Sequence, residues 1–427
     1  MSDVRPAGPF PLPNAGNLET WLVRFDKDGV CTSPSTRAAL LARVDAQPAD
    51  VIFFSHGWQT DFNGATDQYG RFLKALNQVL ADHPLPDKKI LFVGITWPSK
   101  WIASTEGPKM AGAGDGGEDE YAEALTELTA RLTDAENDRA RELAALPVLS
   151  RDEAREFAQL LAKGSAPTLG ETSEALAPDD AIKLAAELSP AAGVYDPDHV
   201  GSATGDAGGA AAASDGFDGF TLVRLFSIYQ MKDRAGRVGA RGVASLLTDL
   251  TARARSVHLV GHSFGAKVML SALLGEPARA RKPNTMLLLQ PAISHLCFAP
   301  ELDNAIGKGG YSAAPGLVSG QIFTTYSRHD FPLRNVFHLA LRRARDIGEA
   351  KIAGDEPPNK HAALGGFGPR SAGEVLLELP ASGGAYAVPD SAKIVALDAS
   401  PDKRVPSHGD VQNVHTAWAL RRQIEKG

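Results

Sequence analysis

Val257-His258-Leu259-Val260-Gly261-His262-Ser263-Phe264-Gly265-Ala266 is a β-branched and aliphatic run leading straight into Gly-x-Ser-x-Gly, with helix-prone Ala266-Lys267-Val268-Met269-Leu270 behind it. Strand, sharp turn, helix is the order in which this motif places a serine on a nucleophile elbow. The turn forces Ser263 into a strained backbone, and the residues two before and two after must be small to clear the neighbouring strand and helix. Gly261 and Gly265 therefore have a steric task. Gly and Ser are common, so an ordinary β-to-α turn that happens to hold a serine is the plainer explanation. The flanks favour the elbow.

Reading outward, Val51-Ile52-Phe53-Phe54 and Ile90-Leu91-Phe92-Val93-Gly94-Ile95 are continuous apolar runs of strand length. That is the pattern of parallel strands buried on both faces. The first ends at Ser55-His56-Gly57-Trp58 and the second at Trp97-Pro98-Ser99. Further strands are predicted at 22–25, 285–290, 321–326 and 393–397, and helices at 35–44, 65–80 and 414–424. A helical region runs from 220 to 253, with a break at Gly236 and Gly239. Strands alternating with helices imply crossover connections, hence an α/β fold with a mainly parallel central sheet flanked by helices.

At 427 residues with 43% hydrophobic content, the chain can hold two or three average domains, or one large α/β domain with an insertion. The net charge of −7 is unevenly spread: residues 111–218 carry 23 Asp and Glu against 7 Lys and Arg. The expected organisation is a Pro- and Gly-rich N-terminal arm (1–19), a core (20–99 and 217–427) and an acidic, Ala-rich helical insertion (100–216). Within the insertion, helical periodicity spans 121–146 and 152–161, Ser150 and Glu153 form a capping box, and 201–215 is Gly/Ala-rich. It follows the strand ending at Ile95, on the side of the sheet that carries Ser263, so it is expected to act as a cap or lid. An acidic solubilising appendage is the alternative.

Composition disfavours several classes. There is no basic stripe interleaved with aromatics, so nucleic acid is not an expected partner. No run approaches the eighteen apolar residues of a transmembrane segment. Met1-Ser2-Asp3-Val4-Arg5-Pro6 lacks the basic and apolar regions of a secretory signal, and a cytoplasmic location is expected. Cys31 and Cys297 lack metal-ligand spacing and are expected as reduced thiols. The eleven histidines are scattered, and neither a metal nor another cofactor is expected.

A serine hydroxyl is a poor nucleophile unless a base removes its proton as it attacks, and the base must be oriented, usually by a carboxylate. In parallel α/β folds such groups gather beyond the C-terminal ends of strands. Strand 321–326 is followed by Ser327-Arg328-His329-Asp330, and strand 393–397 by a loop containing Ser407-His408-Gly409 ahead of the last helix. The chain order is Ser263, Asp330, His408.

With those residues in that order, the chain resembles an α/β-hydrolase-fold serine hydrolase of the Gly-x-Ser-x-Gly esterase and lipase-like superfamily. The similarity covers roughly 20–98 and 219–425. Within the superfamily the chain looks closest to poorly characterised bacterial and fungal serine hydrolases with a His-Gly-Trp turn. The resemblance implies Ser263 as nucleophile, His408 as general base and then acid, and Asp330 as its orienter. It also implies an oxyanion hole made by the backbone N–H groups of Trp58 and Phe264. Gly57 lets the backbone approach closely, and His56 and His262 are expected to brace the two turns by hydrogen bonds.

Rivals exist for each role. Asp330 could pair on the surface with Arg328 or Arg334, and Asp346 and Asp398 are poorer acids. His415 and His329 compete with His408. Trp97 and Trp101 are as well suited to lining a pocket as to core packing. The function expected is hydrolysis of small-molecule or lipid-like acyl esters through an acyl-serine. A peptidase, amidase or thioesterase would use the same triad, and a non-catalytic scaffold acting as a binding module is the other class.

Overall fold

A computed structural model describes residues 8–58, 60–99, 117–165, 177–188, 217–302, 307–337 and 362–427. Eight strands make one sheet: β1 (Glu19–Arg24), β2 (Asp50–Ser55), β3 (Ile90–Thr96), β4 (Ser256–His262), β5 (Thr285–Leu289), β6 (Ile322–Tyr326), β7 (Val375–Glu378) and β8 (Ile394–Asp398). Their order is β1-β3-β2-β4-β5-β6-β8-β7, and every pair is parallel. The architecture is α/β and consistent with an α/β-hydrolase fold.

The helices are α1 (Pro34–Ala46), α2 (Phe62–Asp82), α3 (Gly117–Thr129), α4 (Asp134–Ala144), α5 (Arg151–Ser165), α6 (Pro178–Leu188), α7 (Gly219–Arg237), α8 (Ala244–Arg253), α9 (Phe264–Gly275), α10 (Ala314–Leu317), α11 (Leu364–Phe367) and α12 (Val414–Lys426). The break expected at Gly236 and Gly239 is a widened π-helical turn, Val238–Val243, which includes Gly239 and joins α7 to α8, whereas Gly236 lies within α7. Gly239 packs closely there: a Cβ on it would lie 2.3 Å from the Val268 carbonyl of α9.

β2 and β4 are buried at every residue, as parallel strands covered on both faces must be. α2 and α12 cover one face, where Phe54, Tyr69, Phe72 and Phe92 meet Leu287, Val395 and Leu420 in one apolar cluster. α1, α8 and α9 pack on other sheet elements and on one another. From residue 8 onward the N-terminal arm lies against this core, burying Leu12 and Ala15. Ser55 of β2 stands opposite Gly261 of β4, and His262 opposite Leu289 of β5, so the central strands end level with one another.

The other end of those strands is held by a polar network. Asp50 is fully buried and accepts hydrogen bonds from the Ser256 hydroxyl (2.7 Å), the Lys89 backbone N–H (3.0 Å) and the Arg255 guanidinium. Ser256 accepts in turn from His258 Nε2 (2.9 Å), whose Nδ1 accepts the Thr285 hydroxyl (2.8 Å). Burial keeps His258 neutral, lowering its pKa to about 4. β2, β4 and β5 are thereby tied at their first residues. Asp50→Ala leaves these donors without their acceptor and is expected to cost about 3 kcal/mol in urea unfolding.

The chain divides into two compact units, Met1–Ser99 with Arg234–Gly427, and Lys100–Asp233. The second division falls inside α7, whereas the sequence expectation placed it at 216/217. In the second unit, α5 packs against α3, α4 and α6, and Tyr121 stacks on Phe220 with ring centroids 5.6 Å apart. Ser150 and Glu153 exchange capping hydrogen bonds at the start of α5. The single helical run read at 121–146 is two helices, because Thr133 and Glu136 form a capping box that starts α4 afresh.

Candidate active site

The site is assembled at the C-terminal ends of β2, β4, β5, β6 and β8. Ser263 follows β4 with φ +54° and ψ −123°, a conformation costly for any residue with a Cβ. It is held there by its N–H, which donates to the Leu289 carbonyl at 3.1 Å, and by its carbonyl, which accepts from Ala292 at 3.3 Å and from Ala266 at 3.1 Å. Close approach explains the flanking glycines. A Cβ on Gly265 would lie 2.2 Å from the Ser55 carbonyl, and one on Gly261 would lie 2.6 Å from Ala266 Cα.

His408 Nε2 lies 2.9 Å from Ser263 Oγ, and His408 Nδ1 lies 2.8 Å from Asp330 Oδ2. A carboxylate only accepts, so Nδ1 carries the proton and Nε2 is free to accept the serine hydroxyl. Asp330 is fully buried, and the Leu333 N–H donates to its other oxygen at 3.0 Å. It is therefore not a surface acid. The Arg334 guanidinium donates instead to the Gly366 carbonyl and lies over the Phe367 ring. Asp398, the rival at the end of β8, accepts from the Ser400 N–H. His329 Nε2 donates to the Ser400 carbonyl, and His415 occupies the first turn of α12. Asp346 and Trp101 lie outside the described residues.

Gly57 packs directly on the serine: a Cβ there would be 2.7 Å from Ser263 Cβ. The following N–H, of Trp58, and the N–H of Phe264 at the N-terminus of α9 have no hydrogen-bond acceptor among the described residues. Free N–H groups at a helix N-terminus are a natural place for negative charge. The half-buried Trp58 ring lies 6.0 Å from that of Phe264, which meets Phe337 edge-on at 5.7 Å.

Two buried histidines hold the loops. His56 Nδ1 donates to the Gly57 carbonyl at 2.9 Å, and its Nε2 accepts the Trp97 N–H at 3.3 Å. Trp97 is 3% exposed and stacks on the His56 imidazole, interplanar angle 11°, which makes it a core residue. His262 Nε2 donates to the His408 carbonyl at 2.9 Å, fixing the loop that carries His408. Burial lowers His56 to about 4. Burial, then the neighbouring His408, lowers His262 to about 3. Both are neutral and poor proton carriers near pH 7.

Sequence reading passed over Gln290, the first residue after β5. Fully buried and at φ +41°, it donates from Nε2 to Asp330 Oδ2 at 3.1 Å. A lone glutamine after a strand belongs to no motif, and its role is visible only in three dimensions. No family model, curated protein or solved structure matches the chain. Among the described residues no cluster of His, Cys, Asp or Glu could hold a metal ion, and no helix is long and apolar enough to cross a membrane. Cys297 is a buried free thiol whose pKa burial raises well above the usual value, and Cys31 is also free.

Proposed function

We propose that the protein is a serine hydrolase that cleaves carboxylic esters through an acyl-serine intermediate. The observation that carries this reading is the unbroken relay Asp330–His408–Ser263, at 2.8 and 2.9 Å, beside two backbone N–H groups that have no acceptor among the described residues. Strained backbone of the kind held at Ser263 clusters at functional sites.

Each step follows from those groups. His408 Nε2 takes the Ser263 proton as Oγ bonds to the ester carbonyl carbon, and the carbonyl π pair moves onto oxygen. The Trp58 and Phe264 N–H groups receive that oxyanion. They are fixed in advance, so no reorganisation is required at the moment of reaction. Asp330 stabilises the imidazolium, which then protonates the leaving alkoxide as the carbon–oxygen bond breaks. Water then gives a proton to His408 as its oxygen bonds to the acyl carbon, and His408 returns that proton to Ser263 Oγ as the acyl carbon–Oγ bond breaks, releasing the acid. The Trp58 indole provides an apolar neighbour for the acyl group.

An alkyl fluorophosphonate is expected to label the wild-type protein, and p-nitrophenyl esters are expected to turn over faster than aminoacyl p-nitroanilides. Failure of the wild-type protein to label would overturn the hydrolase reading and leave a binding scaffold. Faster anilide turnover would instead make the protein an amidase or peptidase using the same relay.

A further inference from the structure

We propose that Gln290 is a positioning residue of this site: its side-chain amide fixes Asp330 facing His408 and shares the carboxylate oxygen that receives His408. This inference rests on the hydrolase reading above and concerns how its base is tuned.

Three hydrogen bonds orient the amide without ambiguity, and a fourth holds the hydroxyl it accepts. Nε2 donates to Asp330 Oδ2 at 3.1 Å and to the Gly365 carbonyl at 3.2 Å. Oε1 accepts the Thr325 hydroxyl at 2.9 Å, and the Thr325 oxygen accepts the Gln290 backbone N–H at 3.0 Å. Turning the amide over would set its oxygen against two acceptors, so only this orientation satisfies every group. Gln290 and Thr325 close a hydrogen-bonded ring between the ends of β5 and β6, and both are fully buried.

The positive φ of Gln290 is a second observation. Among the described residues, Ser263 and Gln290 are non-glycine residues with positive φ directly after adjacent central strands. Such a conformation persists where the surroundings over-determine it, and it concentrates at functional sites. Here it turns the amide toward Asp330, away from the path the strand would have given it.

The consequence is electrostatic as well as geometric. Asp330 Oδ2 holds two donors, His408 Nδ1 and Gln290 Nε2, while Oδ1 holds the Leu333 N–H. A hydrogen bond to the charged form draws electron density from the oxygen that faces the imidazole. Other titratable groups facing the pair are the neutral His262 ring, 5.1 Å from His408, and Arg334, which feels Asp330, Asp398 and Arg328. Arg71 reaches His262 in turn. None of these donates a hydrogen bond to Asp330 Oδ2.

The test is the rate of fluorophosphonate labelling of Ser263 in the full-length protein, measured from pH 5 to 9. Gln290→Leu, which keeps the bulk and removes the amide, should slow labelling roughly 10- to 100-fold. It should also move the acid limb to higher pH, because an unshared carboxylate favours the His408 imidazolium. Thr325→Val, which frees the amide without adding charge, should shift it in the same direction and keeps the test open if a Gln290 variant does not fold. A purely structural glutamine would lower the melting temperature and leave the acid limb where it is. Folded variants with an unmoved limb therefore overturn this proposal while leaving the hydrolase reading intact. A wild-type protein that does not label removes that reading and this inference together.

Discussion

Ser263→Ala is expected to abolish fluorophosphonate labelling and to lower ester turnover at least ~10⁴-fold, with the unfolding free energy changed by no more than about 1 kcal/mol. The hydroxyl makes its contact with His408 at 2.9 Å and lies in a turn held by backbone hydrogen bonds, so its removal leaves the scaffold standing. His408→Ala should cost a similar factor, and the double variant little more than either alone, because the two groups act as one unit. Asp330→Asn should cost ~10⁴-fold although it changes almost no volume. An amide nitrogen facing His408 Nδ1 would force the proton onto Nε2, where it blocks the serine. His415→Ala is the control: this residue sits in the first turn of α12, outside the relay, and its loss should leave turnover within about twofold. Loss of activity in His415→Ala with His408→Ala still active would move the base to the helix.

Acid is expected to destabilise the protein well before its carboxylates are neutralised. Burial lowers His56 and His258 to about 4 and His262 to about 3, against 6.5 for an exposed histidine. The folded protein keeps all three neutral at pH 5, where the unfolded chain protonates them. Their contribution is therefore complete above about pH 6.5 and is lost as pH falls toward the folded values. Each histidine adds a slope of about 1.4 kcal/mol per pH unit, so the three together approach 4 kcal/mol per unit between pH 6 and 4. Against a total stability of roughly 5–15 kcal/mol, two units of acidification should bring the protein near its unfolding midpoint. Urea melts at pH 7.5, 6 and 5 check this. Constant stability over that range would show that these rings titrate alike in the folded and the unfolded chain.

Much of this architecture is legible in the sequence for a simple reason. A buried parallel strand is a short apolar run, and a strand-to-helix turn under steric pressure declares itself through Gly261 and Gly265. Asp330 and His408 are legible as loop residues just past strand ends. What escapes is whatever depends on partners remote in the chain. Asp50, Ser256, His258 and Thr285 carry no pattern, yet together they tie three strands. Trp97 reads equally well as pocket or core until His56 is seen stacked on it. Gln290 looks like the last polar residue of a strand until Asp330, 40 positions on, is brought against it. β7 was not anticipated because its four residues alternate between half-buried and exposed, and it has a strand on one side only.

That edge position has a consequence for how the molecule comes together. β7 precedes β8 in the chain, but its neighbour in the sheet is β8, inserted between it and β6. β7 cannot dock until β8 has arrived, and β8 brings with it the His408 loop and α12, whose Trp418 indole donates to Gly384 in the β7–β8 connection. Residues 375–426 are therefore expected to open and close as one cooperative segment in native-state hydrogen exchange. Ser263 would lose its contact with His408 each time that segment detaches. A chain arrested before β8 would carry the complete Ser263 turn without the histidine that faces it.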